Sequence, residues 1–270
     1  MKNRITLIGR GMIGETIEAW LSQQYTLKVL DLKTGFDANN EIEIKKVLQD
    51  QEMVIAATPF FINRSIARVA AELEVDYFDL TEDTETSRWI RSLSANSKLI
   101  PQCGLAPGIV NMCAQDLIND FERVDEVKLR VGALPRYTSN QLGYYLTWST
   151  EGLINEYSKP VQVIDEGIIK EVKALEDLER LIFEGAEFEA FNTSGGVGQL
   201  CQTYHGKIQK LDYKTIRYPG HCERMKLLLQ EIGMNKDIRQ TNALFNHNLP
   251  RTRQDMVLTH TSGGHASGQI

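Results

Sequence analysis

Ile5-Thr6-Leu7-Ile8-Gly9-Arg10-Gly11-Met12-Ile13-Gly14 is the stretch on which the fold turns. Ile5 to Ile8 are apolar or β-branched and read as a short buried strand. The glycines follow at once in the pattern GxGxxG, and the helical periodicity of 12–23 starts within it. Between a strand and a helix, each glycine has a mechanical job. Gly9 permits a tight turn, Gly11 leaves the backbone open to a pyrophosphate, and Gly14 lets helix and strand pack closely. The helix start adds free N–H groups and the positive end of its dipole, so Gly9, Arg10, Gly11, Met12, Ile13 and Gly14 form a phosphate cradle.

Working outward, Leu27-Lys28-Val29-Leu30 is a second strand, and Asp31 ends it 22 positions after Gly9. A carboxylate there accepts hydrogen bonds from the adenosine ribose hydroxyls and repels a 2′-phosphate. NAD is therefore the expected cofactor and NADP the disfavoured one, although Lys33 offers a cation of the opposite preference. A helix over 41–51, a strand at 53–57, a helix over 62–73, a strand at 77–80, a helix over 86–93 and a strand at 98–100 complete the pattern. Strand and helix alternating in this way predict a doubly wound parallel sheet with helices on both faces, a Rossmann domain. Thr58 and Pro59 follow the third strand at the carboxyl edge, where such sheets collect their ligands, and are further cofactor-side candidates.

Beyond residue 121 the pattern changes. Val127, Leu129 and Val131 alternate with polar residues, and 161–163, 168–172 and 215–218 read as further strands. Helices fit 175–183 and 221–232. The fold class is thus α/β: a Rossmann domain over 1–121, an α+β domain over 122–258 for substrate and dimerisation, and a loose tail over 259–270.

The totals set bounds. The chain has 270 residues, 42% hydrophobic and 24% charged, and a net charge of −6. That length buries a sizeable core. The acidic balance, with no basic stripe, argues against a nucleic-acid partner. No apolar run approaches a membrane span or the core of a signal peptide, so the expected location is the cytoplasm. Four widely spaced cysteines without a CxxC pair read as reduced thiols, and Cys201, His205, His221 and Cys222 are not spaced as a zinc site, so no metal is expected.

Cys103-Gly104-Leu105-Ala106-Pro107-Gly108 resembles a segment of the saccharopine dehydrogenase superfamily, within it the lysine 6-dehydrogenase-like branch. So, in order, do Asp79-Leu80-Thr81-Glu82-Asp83, the segment 148–157, Ile216-Arg217-Tyr218-Pro219-Gly220-His221 and Arg251-Thr252-Arg253-Gln254-Asp255. The resemblance implies NAD(P)-linked oxidation at an amine carbon of lysine or a lysine conjugate, by a homodimer whose second domain carries much of the substrate site. It makes Arg217 the clamp for a substrate carboxylate, and Trp148, Glu151 and Asn155 the pocket walls. Ala106 stands where the saccharopine reductases carry an acid, which favours the lysine 6-dehydrogenase side. Relatives generally run on past 251–257, so the expectation is either a shortened version or a chain without the activity. The alternatives are a saccharopine or carboxynorspermidine type reductase that forms a secondary amine, and an NAD(H)-binding protein without turnover.

Oxidising an amine requires a base as well as a hydride acceptor. Glu82 and Asp83 follow a strand at the carboxyl edge and are candidate acid/base groups, with helix capping as the alternative. His221 titrates in the right range and is the third candidate, with an ordinary surface position as the alternative.

Overall fold

The computed structural model describes residues 4–265 and the backbone of 268–269. The chain divides into two compact units that meet between Gly108 and Ile109, rather than at 121/122.

The first unit is a five-stranded parallel sheet. Its strands are β1 (Arg4–Ile8), β2 (Thr26–Leu30), β3 (Met53–Ala56), β4 (Asp76–Asp79) and β5 (Leu99–Ile100), in the order β2-β1-β3-β4-β5. Helices α1 (Met12–Leu21), α2 (Glu41–Leu48), α3 (Phe60–Glu72) and α4 (Thr84–Ser92) connect them. Successive residues of β1 (Ile5, Thr6, Leu7 and Ile8) are all buried, as a strand covered on both faces must be. The core joins Ile8, Val54, Ala56 and Tyr77 of the sheet to Ile44, Leu48, Ile66, Val69 and Ile90 of the helices. The chain leaves β1 toward β2 on one side and returns to β3 on the other. The strand order therefore reverses between β1 and β3, and the carboxyl ends of those two strands define the crevice of the sheet.

The second unit holds α5 (Ile109–Asp120), β6 (Glu126–Pro135), α6 (Thr150–Ser158), β7 (Val161–Asp165), β8 (Ile168–Val172), β9 (Glu179–Phe183), β10 (Ala186–Asn192), α7 (Leu200–Tyr204), β11 (Lys210–Arg217), α8 (His221–Lys226), α9 (Ile238–Asn248), β12 (Asp255–His265) and β13 (Gly268–Gln269). Its eight-stranded sheet runs β13-β12-β6-β11-β10-β9, with β7 beside β11 and β8 beside β7. Only β6 and β11 run parallel among these pairs. Helix α5 lies so close to β12 that a Cβ on Gly263 would sit 2.5 Å from Leu117.

Two expectations for this unit need correction. Residues 175–183 are not helical, because Leu175 (φ 62°) and Asp177 (φ 56°) turn the chain into left-handed backbone that stops a helix, and 179–183 continue as β9. A hairpin then forms at Glu184-Gly185, both at positive φ as a two-residue primed turn requires, and pairs Phe183 with Ala186. The segment 259–265 is not loose but the second half of β12, laddered onto β6 from Asp255↔Pro135 to Gly264↔Glu126. The rest of the expected tail lies outside the described residues or in β13. Helices α5 and α9 were not apparent from the sequence pattern.

Candidate functional site

The loop 9–14 is built as its glycines demand. Gly9 is buried with φ +99°, its N–H donates to Leu30 O at 2.8 Å, and a Cβ there would lie 2.4 Å from Ala57 O. Gly14 is tighter still, since a Cβ would lie 2.1 Å from Gly9 O. At Gly11 the same construction meets nothing within 4 Å. Two glycines are thus imposed by the packing of the protein on itself, and the third faces open space. Gly11 is also the N-cap of α1 and supplies no side-chain cap. The first-turn amides of α1 have no acceptor within the helix and are directed at that space. Met12 and Ile13 are exposed beside it.

Asp31 closes the adjoining corner. Its Oδ2 accepts from Arg10 N–H at 2.7 Å and its Oδ1 from Lys33 N–H at 2.9 Å. These two amides hold the carboxyl below the ordinary carboxylate range. Each oxygen keeps a second lone pair, so the carboxylate can anchor the loop and still receive a ribose hydroxyl. The Arg10 guanidinium turns back along α1 to Glu18, 2.6 Å away. Across the crevice, Thr58 follows β3, its methyl carbon 3.1 Å from the position a Gly9 Cβ would occupy. Pro59 is the exposed N-cap residue of α3.

Of the three acid/base candidates, two have other work. Asp83 is buried and caps α4, its Oδ1 accepting from Thr86 N–H at 2.7 Å. That is the capping alternative, and it places the carboxylate under the helix. His221 is fully buried in the second unit and not at the surface. Its tautomer follows from its partners. Leu142 O, 2.9 Å from Nδ1, only accepts, so Nδ1 carries the proton and Nε2 accepts from the Tyr157 hydroxyl at 3.0 Å. Arg217 Nε donates in turn to Tyr157 Oη at 2.9 Å. Burial and the Arg217 charge push the imidazole down to about 3. Both ring nitrogens are thus engaged within the protein, and His221 packs in the core of the second unit. Glu82 is half-buried beyond the carboxyl end of β4.

Arg217, Trp148 and His221 converge in one cluster around Tyr144 and Tyr157. The guanidinium of Arg217 is 2% exposed and lies over the rings of Tyr144 (5.3 Å) and Tyr157 (5.9 Å). Trp148 Nε1 donates to Tyr144 Oη at 3.1 Å. Glu151 instead accepts from Asn242 of α9 at 3.0 Å, and Asn155 is buried in α6.

The pattern of the sequence missed Glu189. This buried carboxylate of β10 accepts the N–H groups of Gly220 (2.7 Å) and Cys222 (2.6 Å), and so supplies the cap that α8 lacks locally. Charge-assisted bonds to otherwise orphaned amides are costly to lose. Replacing Glu189 with Ala should lower unfolding free energy in urea by about 3 kcal/mol. A loss within experimental error would show the cap to be dispensable.

The family model "Saccharopine dehydrogenase C-terminal domain" matches residues 104–263. The chain is 25% identical over 218 residues to the Saccharomyces cerevisiae protein named saccharopine dehydrogenase (NADP(+), L-glutamate-forming), a match covering 75% of this chain and 48% of that protein. It thus spans about half the length of that curated relative. The solved structure of apo saccharopine dehydrogenase (L-Glu forming) from Saccharomyces cerevisiae superposes with a TM-score of 0.68 at 20% identity, covering 87% of this chain and 59% of that one. The fold is shared. No helix among the described residues is long and apolar enough to cross a membrane.

Proposed function

The chain belongs to the saccharopine dehydrogenase family, and from that premise we propose that it is an oxidoreductase that binds NAD(H) on the loop 9–14 and acts on the amine of an amino acid. One observation carries the cofactor reading: the space over Gly11 stays open while Gly9 and Gly14 are packed too tightly for a Cβ. The backbone at 11 is extended (φ −80°, ψ −166°) and does not require glycine, and as the N-cap Gly11 brings no side-chain acceptor that would compete for the helix amides. A bound nicotinamide supplies the hydride acceptor. The protein's part is to seat the diphosphate on the amides of α1, to fix the adenosine ribose at Asp31, and to line the other side of the crevice with Thr58.

Asp31 makes NAD the preferred form, because a 2′-phosphate would meet a carboxylate already in its ionised state. With Asp31 replaced by Ser, Arg10 and Lys33 remain beside an uncharged cap. The preference should then move toward NADP by about tenfold or more, read from the two dissociation constants. An unchanged ratio would remove Asp31 from the selectivity. The relative named above carries NADP(+) in its name, so both cofactors belong in the titration.

For the substrate, the reading favours oxidative deamination of lysine, in keeping with Ala106 in the loop 104–108. Glu82 is the acid/base group of this reading. The similarity to a saccharopine dehydrogenase supports a second one, in which the chain makes or cleaves a secondary amine. Growth of the reduced-nicotinamide absorbance with NAD and L-lysine supports the first. Growth with saccharopine alone, or consumption of NADH only when an aldehyde and an amino acid are both present, supports the second. Silence in every combination, with NADH tightly bound, would overturn both and leave a binding protein without turnover.

A further inference from the structure

At the carboxyl edge of the first unit's sheet, one buried carboxylate holds three connections at once. Asp79 ends β4 and is 1% exposed. Its Oδ1 accepts the N–H groups of Thr81 (2.9 Å) and Gln102 (3.0 Å). Its Oδ2 accepts from the Tyr77 hydroxyl (2.7 Å) and from Asn63 Nδ2 (3.2 Å). Asn63, fully buried in α3, accepts through Oδ1 from the Thr58 hydroxyl at 2.6 Å. The loops after β3, β4 and β5 are therefore tied to one side chain.

Two features show that this arrangement is held against resistance. The four groups bonded to Asp79 are all neutral, and burying a carboxylate among neutral donors is costly, so its carboxyl is pushed up from the ordinary range. Gln102 adopts φ +70° without being glycine, a backbone strain that persists only where surroundings enforce it. Its N–H is bound by Asp79, and its side-chain oxygen accepts from Arg91 Nη2 at 2.7 Å. An apolar residue at 79 would leave four donors without an acceptor, so the carboxylate stabilises the unit as well as shaping it. What the carboxylate adds is fixed geometry at three neighbouring loop ends, on the side of the crevice away from Asp31.

We infer that Asp79 is a positioning residue for the nicotinamide half of the dinucleotide, acting through Asn63 on Thr58 and directly on the backbone at Thr81 and Gln102. The inference rests on the reading that the loop 9–14 holds a dinucleotide. If Asp31 takes the adenosine ribose over β2 and the diphosphate sits over Gly11, the remaining half crosses to the ends of β3 and β4. That half is received on loops that Asp79 has already ordered, so less ordering remains to be done on binding.

The test compares NADH with ADP, which carries the adenosine and diphosphate but not the second half, by calorimetric titration of the full chain. Asp79→Ala should weaken NADH by about tenfold or more while leaving ADP affinity within about twofold. Asp79→Asn keeps one carbonyl oxygen for the two backbone amides and should fall between wild type and Asp79→Ala. Thr58→Val removes only the outermost hydroxyl and keeps the inference testable if Asp79→Ala fails to fold. It too should weaken NADH and spare ADP. Equal loss of NADH and ADP, or no loss of either, would overturn the inference. Wild-type protein that binds neither ligand would instead overturn the cofactor reading on which it rests.

Discussion

Replacing Gly11 with Val should abolish dinucleotide binding while leaving the protein folded and close to its original stability. The side chain would project into the space where the diphosphate sits, yet its Cβ would meet no atom beyond its chain neighbours within 4 Å and would need no unusual backbone. Losing two charge-assisted bonds from amides to phosphate corresponds to a fall of about a hundredfold or more in NADH affinity. Unfolding free energy should fall by no more than about 1 kcal/mol, the cost of placing Val at the α1 N-cap. Gly14→Ala is the control of opposite sign. Its methyl would lie 2.1 Å from Gly9 O, so the turn must open, at about 3 kcal/mol or more of stability. Two substitutions three residues apart thus separate a ligand-facing glycine from a packing glycine. If Gly11→Val bound NADH normally, the loop would be a turn and nothing else.

The second large effect lies in the other unit and concerns acid. His221 has its ordinary value near 6.5 in an unfolded chain and about 3 in the folded protein. Unfolding at an intermediate pH therefore takes up a proton. The stabilisation is fully present above about pH 6.5 and is lost as pH falls through the window toward about 3. Each pH unit in that window corresponds to about 1.4 kcal/mol, so the loss reaches roughly 4 to 5 kcal/mol at its lower end. Urea unfolding measured between about pH 7 and about pH 4.5 should show wild-type stability falling more steeply than that of His221→Gln, by roughly 3 kcal/mol across the range. Carboxylates that titrate in both proteins cancel in the comparison. Parallel curves would mean that the buried ring does not charge on unfolding.

What the sequence makes visible, and what it hides, has a physical basis. The β1 strand, the three glycines and Asp31 are legible because their meaning depends on spacing within about 30 residues, the reach of one strand-helix-strand unit. The segment 175–183 misleads because Leu175, Leu178, Leu181 and Ile182 recur at near-helical spacing. The two left-handed residues that break it, Leu175 and Asp177, are not types that advertise such a backbone. His221 follows Pro219-Gly220 and has the look of a surface turn. Only the tertiary contacts with Leu142 and Tyr157 put it in the core. The Asp79 network joins residues 58, 63, 77, 79, 81 and 102, and no local pattern records such a convergence. Asp83 has two meanings in the sequence, acid/base group or helix cap, and the buried bond to Thr86 N–H is the cap.

The central claim is that the first unit is a cofactor-holding module whose open glycine faces a dinucleotide, and titration of NADH and NADPH into the wild-type protein tests it most directly. One saturable site per chain is expected, with NADH bound more tightly than NADPH, ADP competing with both, and the site lost in Gly11→Val. Folded wild-type protein that takes up neither nucleotide would contradict it.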